Sequence, residues 1–342
     1  MKRGISFFVF LVLAFLLALL IYLYPSLLSF TQLPHLLRSP IGENITPTIS
    51  ASDVEQLNLQ NLLQKEIDTM GASYNVSLYY KNLKSGYEVT IDPDRAWNPA
   101  STVKAYVVVE AFRQRDLGLI NFDSRVTIKD ANVVPTELEA QGYQPLRAGV
   151  KATIRELVSA MIVQSDNTAF NTLLGILDRR NVTATLRKLG LDNTTVGEKL
   201  NLNDAQYQTD LAVSGRQPNT TTAHDFGRLF DLLYQGKIAD SEEILAIFKQ
   251  QKIDDAIPSL LPKNIEIAHK TGTFPPYYHD GGIVYKPNDP FILVVFTNTD
   301  SPDAIARIAK VAYYKTRDVL GASTADMFQA FIQFIFNRIF GH

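Results

Sequence analysis

The sequence predicts an α+β protein: a five-stranded antiparallel sheet flanked by helices, an all-α lobe, and an N-terminal transmembrane helix ahead of both. Three observations predict it. Runs rich in β-branched and aromatic residues lie at both ends of the region beyond residue 53, while helical periodicities fill its middle. The last three β-rich runs are split only by turn residues, as in an antiparallel meander. Finally, Ile5 to Tyr24 hold no charge over a length sufficient to span a bilayer.

In chain order, residues 1–4 are read as a cytoplasmic tip, 5–24 as a signal anchor and 25–52 as a spacer carrying Pro34, Pro40 and Pro47. Lys2 and Arg3 keep the tip inside the cell and place the rest in the envelope. A cleaved signal peptide is the alternative, but the apolar core is long for one and no small-x-small site follows it. Residues 53–317 form the main domain. Val54–Met70 reads as a helix with Leu57, Leu59, Leu62, Leu63 and Ile67; Tyr74–Leu83 and Glu88–Asp92 read as strands turning at Ser85-Gly86. Pro99 marks the entry to a helix from Ser101 to Asp116. Thr153-Ile-Arg-Glu156 is a capping box opening Ile154–Gln164, and Thr168–Asp178 follows. Thr222–Tyr234 completes the helical lobe. The meander runs through Ile265–Thr273, His279–Lys286 and Phe291–Asn298, and Ala304–Tyr314 returns over the sheet. Residues 318–342 read as an apolar C-terminal helix with a narrow polar stripe of Gln329, Gln333 and Asn337, packed on the body or lying in a membrane surface.

Composition narrows the function classes. With 33 basic against 35 acidic residues and no basic stripe, nucleic acid is not an expected partner. There is no cysteine, so disulfides and zinc–thiolate sites are excluded. The histidines show no ligand spacing, so no metal and no cofactor is expected. No G-x-S-x-G elbow is present, which argues against a Ser-His-Asp hydrolase of that design.

Three short motifs carry the chemistry: Ser101-Thr102-Val103-Lys104, Ser165-Asp166-Asn167 and Lys270-Thr271-Gly272. Residues three apart on a helix share a face, so the Lys104 amine can reach the Ser101 hydroxyl. A helix N-terminus favours an anionic nucleophile there. Ser165-Asp166-Asn167 falls where one helix ends and another begins. Lys270 and Thr271 fall on a strand, with Gly272 expected to let a ligand approach the backbone. Taken singly, each motif also fits a bland role: an N-cap, an inter-helix turn, a strand-edge charge.

In this order and context the motifs resemble the active site of penicillin-recognising serine hydrolases, class A β-lactamases above all. The likeness spans residues 54 to 315 and is densest at Asn98–Lys104 and Ala152–Ala169. It implies that Ser101 attacks a β-lactam or D-Ala-D-Ala-like carbonyl to give an acyl-enzyme, with Lys104 helping to remove its proton. It implies further that Ser165 relays a proton, that Asn167 orients substrate amide and Lys104, and that Lys270 and Thr271 receive the substrate carboxylate. The backbone N–H groups of Ser101 and Thr273 would form the oxyanion hole.

One part departs from the pattern. Class A enzymes carry an E-x-x-L-N segment whose Glu activates the deacylating water. Here Leu200 and Asn201 fit, Gly197 occupies the Glu position, and Glu198 follows one residue late. Glu198 is the candidate base, with Asp204 or Asp210 as alternatives under another alignment. The expected protein is therefore a membrane-anchored, monomeric β-lactamase-like serine hydrolase. The alternatives are a penicillin-binding, DD-peptidase-like enzyme acting on peptidoglycan and, from another class, an inactive envelope-binding module.

Overall fold

The computed structural model describes residues 50–71, 74–135, 142–197, 199–200, 218–299 and 301–318. The expected anchor at 5–24, the spacer up to residue 49 and the C-terminal helix beyond residue 318 lie outside the described residues. Among the described residues no helix is long and apolar enough to cross a membrane.

Helix α1 (Ala51–Asp68) leads into strands β1 (Val76–Asn82) and β2 (Glu88–Ile91). A 3-10 turn (Ala100–Val103) runs into α2 (Lys104–Asp116). Two short strands, β3 (Arg125–Thr127) and β4 (Lys151–Thr153), pair as a separate ribbon. The lobe continues through α3 (Ile154–Val163), α4 (Asn167–Leu177), α5 (Arg179–Lys188), α6 (Ala223–Tyr234) and α7 (Ser241–Phe248). Strands β5 (Ile267–Phe274), β6 (Tyr277–Val284) and β7 (Phe291–Thr297) return to the sheet, and α8 (Asp303–Asp318) covers it.

The predicted five-stranded antiparallel sheet is present, in the order β2-β1-β7-β6-β5. Central β7 is buried along its whole length, and its two residue parities serve different cores. Phe291, Leu293 and Val295 join Leu59 and Leu63 of α1 and Ile305, Ile308 and Ala312 of α8. Ile292, Val294 and Phe296 join the larger core of α2, α3, α4 and α6. Each fully buried large aliphatic or aromatic side chain contributes about 1.5–3 kcal/mol, so a one-residue slip of β7 would scramble both cores.

The capping box is present: Glu156 N–H donates to Thr153 Oγ1 at 3.1 Å and Thr153 N–H to Glu156 Oε2 at 2.7 Å. Other elements differ from expectation. Ser101 sits in a 3-10 turn, and the α-helix begins only at Lys104. Helix α6, expected within the helical lobe, also lies against the sheet. Gly227 faces the Tyr79 ring too closely for any Cβ, and Phe226 packs against Gly281 and Phe296. Edge strand β5 therefore runs beside the 3-10 turn, and the described motifs meet between sheet and helices.

Candidate active site

The nucleophile's turn is built from short-range hydrogen bonds. Thr102 N–H and Oγ1–H both donate to Pro99 O, at 3.0 and 2.6 Å, and Ala100 N–H donates to Asn98 Oδ1 at 3.0 Å. Ala100 takes φ +47°, a left-handed conformation costly for a residue with a Cβ. Ser101 is half-buried at the head of this turn, and Lys104 just beyond it is fully buried.

Lys104 Nζ lies 2.8 Å from Ser101 Oγ, 2.6 Å from Ser165 O, 2.6 Å from Asn167 Oδ1 and 3.1 Å from Ser165 Oγ. Two of these four neighbours, the carbonyl oxygens of Ser165 and Asn167, can only accept. In the neutral form of the amine they would take both hydrogens and leave its lone pair facing Ser101 Oγ. Lys104 is held well below the ordinary lysine pKa, first by burial and second by the Lys270 cation, with Asp166 opposing.

Ser165 adopts φ +54° between α3 and α4, which aims its carbonyl at Lys104. Asp166 caps α4 by accepting from Ala169 N–H at 2.7 Å and accepts from the Tyr143 hydroxyl at 2.9 Å. Ser165 Oγ stands between the two lysines, since Lys270 Nζ donates to it at 3.0 Å. Lys270 is fully buried and also donates to Thr271 O at 2.9 Å. Burial pushes it down to about 7 against the opposing field of Asp280. Thr271 is buried, whereas Thr273 is exposed. Gly272, expected to let a ligand approach, also lies close to the Ser101 turn. A Cβ there would sit 2.9 Å from Pro99 O, 2.9 Å from Thr102 N and 3.0 Å from Ser101 N. Its missing side chain makes room for the nucleophile's own turn. The same approach brings the backbone leading to Thr273 beside Ser101 N.

Glu198 lies outside the described residues, as do Asn201, Asp204 and Asp210; their flanks are well tied. Gly197 N–H donates to Asn219 Oδ1 at 2.8 Å, and Leu200 exchanges two bonds with the Asn171 amide, at 2.9 and 3.0 Å. Lys199 Nζ donates to Asn132 Oδ1 at 2.6 Å. Gly197, at the usual position of the base, brings no side chain to the site. Sequence reading missed Tyr143, Asn171 and Asn219, which act through long-range contacts that no local pattern announces.

A profile described as the beta-lactamase enzyme family matches residues 60–316. Among curated relatives, a β-lactamase of Bacteroides uniformis is 25% identical over 241 residues, covering 62% of this chain and 77% of its own length. β-Lactamase 3 of Bacillus cereus is 26% identical over 243 residues, 68% of this chain and 72% of its own. Among solved structures, PBP-A superposes with a TM-score of 0.65 at 24% identity, over 76% of this chain and 96% of that one. A β-lactamase from Sphaerobacter thermophilus gives 0.65 at 22% identity, over 76% and 96%. With the family match extending over most of the sequence and a serine–lysine pair in hydrogen-bond contact at its centre, the chain belongs to the β-lactamase enzyme family and is a serine hydrolase of that type.

Proposed function

We propose that the protein opens β-lactams through an ester on Ser101. The observation that carries this is the contact of the Lys104 amine with Ser101 Oγ at 2.8 Å, beside two acceptor-only carbonyls that can take the hydrogens of the neutral amine. Ser101 Oγ forms the bond to the lactam carbonyl carbon as its proton passes to Lys104. The carbonyl electrons collect on an oxyanion held by the backbone N–H groups of Ser101 and Thr273. When the C–N bond breaks, Ser165 Oγ, within reach of both lysines, passes a proton to the leaving nitrogen. Lys270, Thr271 and Thr273 receive the substrate carboxylate and Asn167 its amide. A point mutant of PBP-A, solved as an acyl-enzyme complex with penicillin G, supports the first half of this reaction. Incubation with penicillin should add one penicillin mass, and Ser101→Ala should abolish the addition; labelling that survives Ser101→Ala overturns the assignment.

A second reading, a penicillin-binding, DD-peptidase-like enzyme that releases β-lactams slowly, is favoured by one observation: the side-chain-free Gly197 where the deacylating Glu normally stands. Glu198 decides between them. As the base, its replacement in Glu198→Gln should lengthen the acyl-enzyme lifetime by about 10²–10⁴-fold with acylation unchanged. Equal lifetimes remove Glu198 from the mechanism.

We also propose that residues 5–24 anchor the chain with the catalytic domain in the envelope, supported by the uncharged run behind Lys2 and Arg3. Protease added to spheroplasts should then digest the domain, and a mature form starting beyond residue 25 overturns the anchor.

A further inference from the structure

We infer that His279, on the strand next to the one carrying Lys270-Thr271-Gly272, is a positioning residue that holds the Ser101 turn in its reactive shape. The inference rests on Ser101 being the nucleophile. His279 belongs to none of the three motifs and is fully buried. Its Nε2 lies 2.9 Å from Asn98 O, and its Nδ1 lies 3.2 Å from Thr297 N. A backbone carbonyl only accepts, so the contact with Asn98 O requires a hydrogen on Nε2. The Tyr278 carbonyl also lies 2.9 Å from Nδ1. Nδ1 thus faces a carbonyl as well as a backbone N–H, and the hold on Asn98 O needs only the hydrogen on Nε2.

The ring is fixed from several sides. It packs on Phe296 at 4.5 Å between centroids, and Trp97 meets it edge-on at 5.5 Å. Trp97 is itself held by its Nε1–H to Ser77 Oγ at 2.8 Å and by backbone bonds with Thr221 at 2.8 and 3.1 Å.

What the imidazole holds is the start of the nucleophile's turn. Asn98 offers its backbone oxygen to His279 and its side-chain oxygen to Ala100 N–H, the residue in the left-handed conformation directly before Ser101. A left-handed alanine persists only where its surroundings over-determine it. The sheet register supplies the second constraint on the same rung, because His279 pairs with Gly272. On that rung Gly272 leaves space for Pro99 O and Ser101 N, and His279 ties down Asn98 O. Without the tie, the turn can relax toward an unstrained Ala100 and carry Ser101 Oγ away from Lys104. A misplacement of about 1 Å in a reacting group can cost about 10²-fold in rate.

The test compares wild type, His279→Leu and His279→Gln in single-turnover acylation by a fluorescent penicillin. Gln retains an N–H near the place of Nε2; Leu fills space without a donor. His279→Leu should lower the saturating acylation rate by about ten- to a hundredfold. It should leave the half-saturating concentration unchanged, because the Lys270–Thr273 side of the site is untouched. His279→Gln should recover most of the rate. Wild-type acylation by His279→Leu, equal losses in both variants, or a loss confined to half-saturation each overturns the inference. Should neither variant fold, the imidazole ¹⁵N signals of the wild-type protein at pH 7 provide the reading: a hydrogen on Nε2 is expected, and its absence from Nε2 overturns the inference. Failure of the wild type to acylate at Ser101 would instead overturn the proposed function, with the ring's tautomer still readable.

Discussion

Two buried lysines approach Ser165 Oγ from opposite walls of the site, and their surroundings divide the work between them. Lys104, from the helical wall, has two acceptor-only carbonyls and the nucleophile around its amine. Lys270, from the sheet edge, has only Ser165 Oγ and Thr271 O as hydrogen-bond partners among the described residues, with the Asp280 field behind it. Both lose affinity for a proton through burial; the Lys270 cation lowers Lys104 further, whereas Asp280 opposes the shift of Lys270. Identical side chains thus stand in different surroundings, on which the proposed division into a base and an anion receptor rests.

The largest effect should come from breaking the helical wall. Lys104→Met removes the base while leaving the turn and the oxyanion donors, and should slow acylation by about 10²–10⁴-fold. Stopped-flow labelling with a fluorescent penicillin measures it. A loss below tenfold would move the base elsewhere, with Lys270 acting through Ser165 the next candidate.

The sheet wall has its own compensating charge. His269 is buried behind Lys270 on the same strand, with Nδ1 at 2.9 Å from Asp280 Oδ1 and Nε2 at 3.7 Å from Asp254. Burial alone would lower its pKa; Asp280 and Asp254 outweigh it and raise the imidazolium to about 9. Against an unfolded value of about 6.5, this contribution to stability is complete below pH 6.5 and is lost as pH rises through 9. A shift of that size corresponds to about 3 kcal/mol. The depressed lysines act in the opposite sense, because the unfolded chain binds their protons more tightly and stability from them grows with pH. The informative quantity is therefore a difference. The stability advantage of wild type over His269→Gln in urea unfolding should shrink by about 3 kcal/mol between pH 6.5 and 9.5. An advantage independent of pH would mean that His269 is neutral in the folded state.

How much of this arrangement was readable beforehand follows from the range of each signal. The Ser101–Lys104 contact is three residues long, and helical geometry alone predicts it. The capping box at Thr153–Glu156 and the parity of β7 are local too, so α3 and the sheet were legible. Helix α5 was not, because Asp178 alone separates it from α4 and only Val182, Thr185 and Leu186 of it are buried. Strands β3 and β4 were missed because three residues are too few to show alternation. Gly272 was legible as a site residue, but its closeness to the Pro99–Thr102 turn, far away in sequence, was not. The Asn171 and Asn219 clamps on the loop likewise exist only once distant segments meet.

The finest distinction between the two walls lies in which kinetic parameter follows pH. Lys270, brought down to about 7, is roughly half protonated in the empty site at neutral pH. Below pH 7 it is a cation and attracts the carboxylate of a β-lactam; above pH 7 the empty site progressively loses that charge. The half-saturating concentration for acylation should therefore rise above about pH 7, by up to about tenfold per unit, because binding must then bring back a proton. The saturating acylation rate should not fall over the same range, since a more basic medium keeps Lys104 in the neutral form that accepts the Ser101 proton. Lys270→Arg isolates the effect: a guanidinium stays charged at any working pH, so half-saturation should become flat even if the altered shape weakens binding overall. Because the two amines share Ser165 Oγ, they titrate as a pair, and the midpoint belongs to the pair rather than to either lysine. A half-saturating concentration equally flat in wild type and Lys270→Arg would show that Lys270 keeps its proton throughout, and the division of labour between the walls would then rest on position alone.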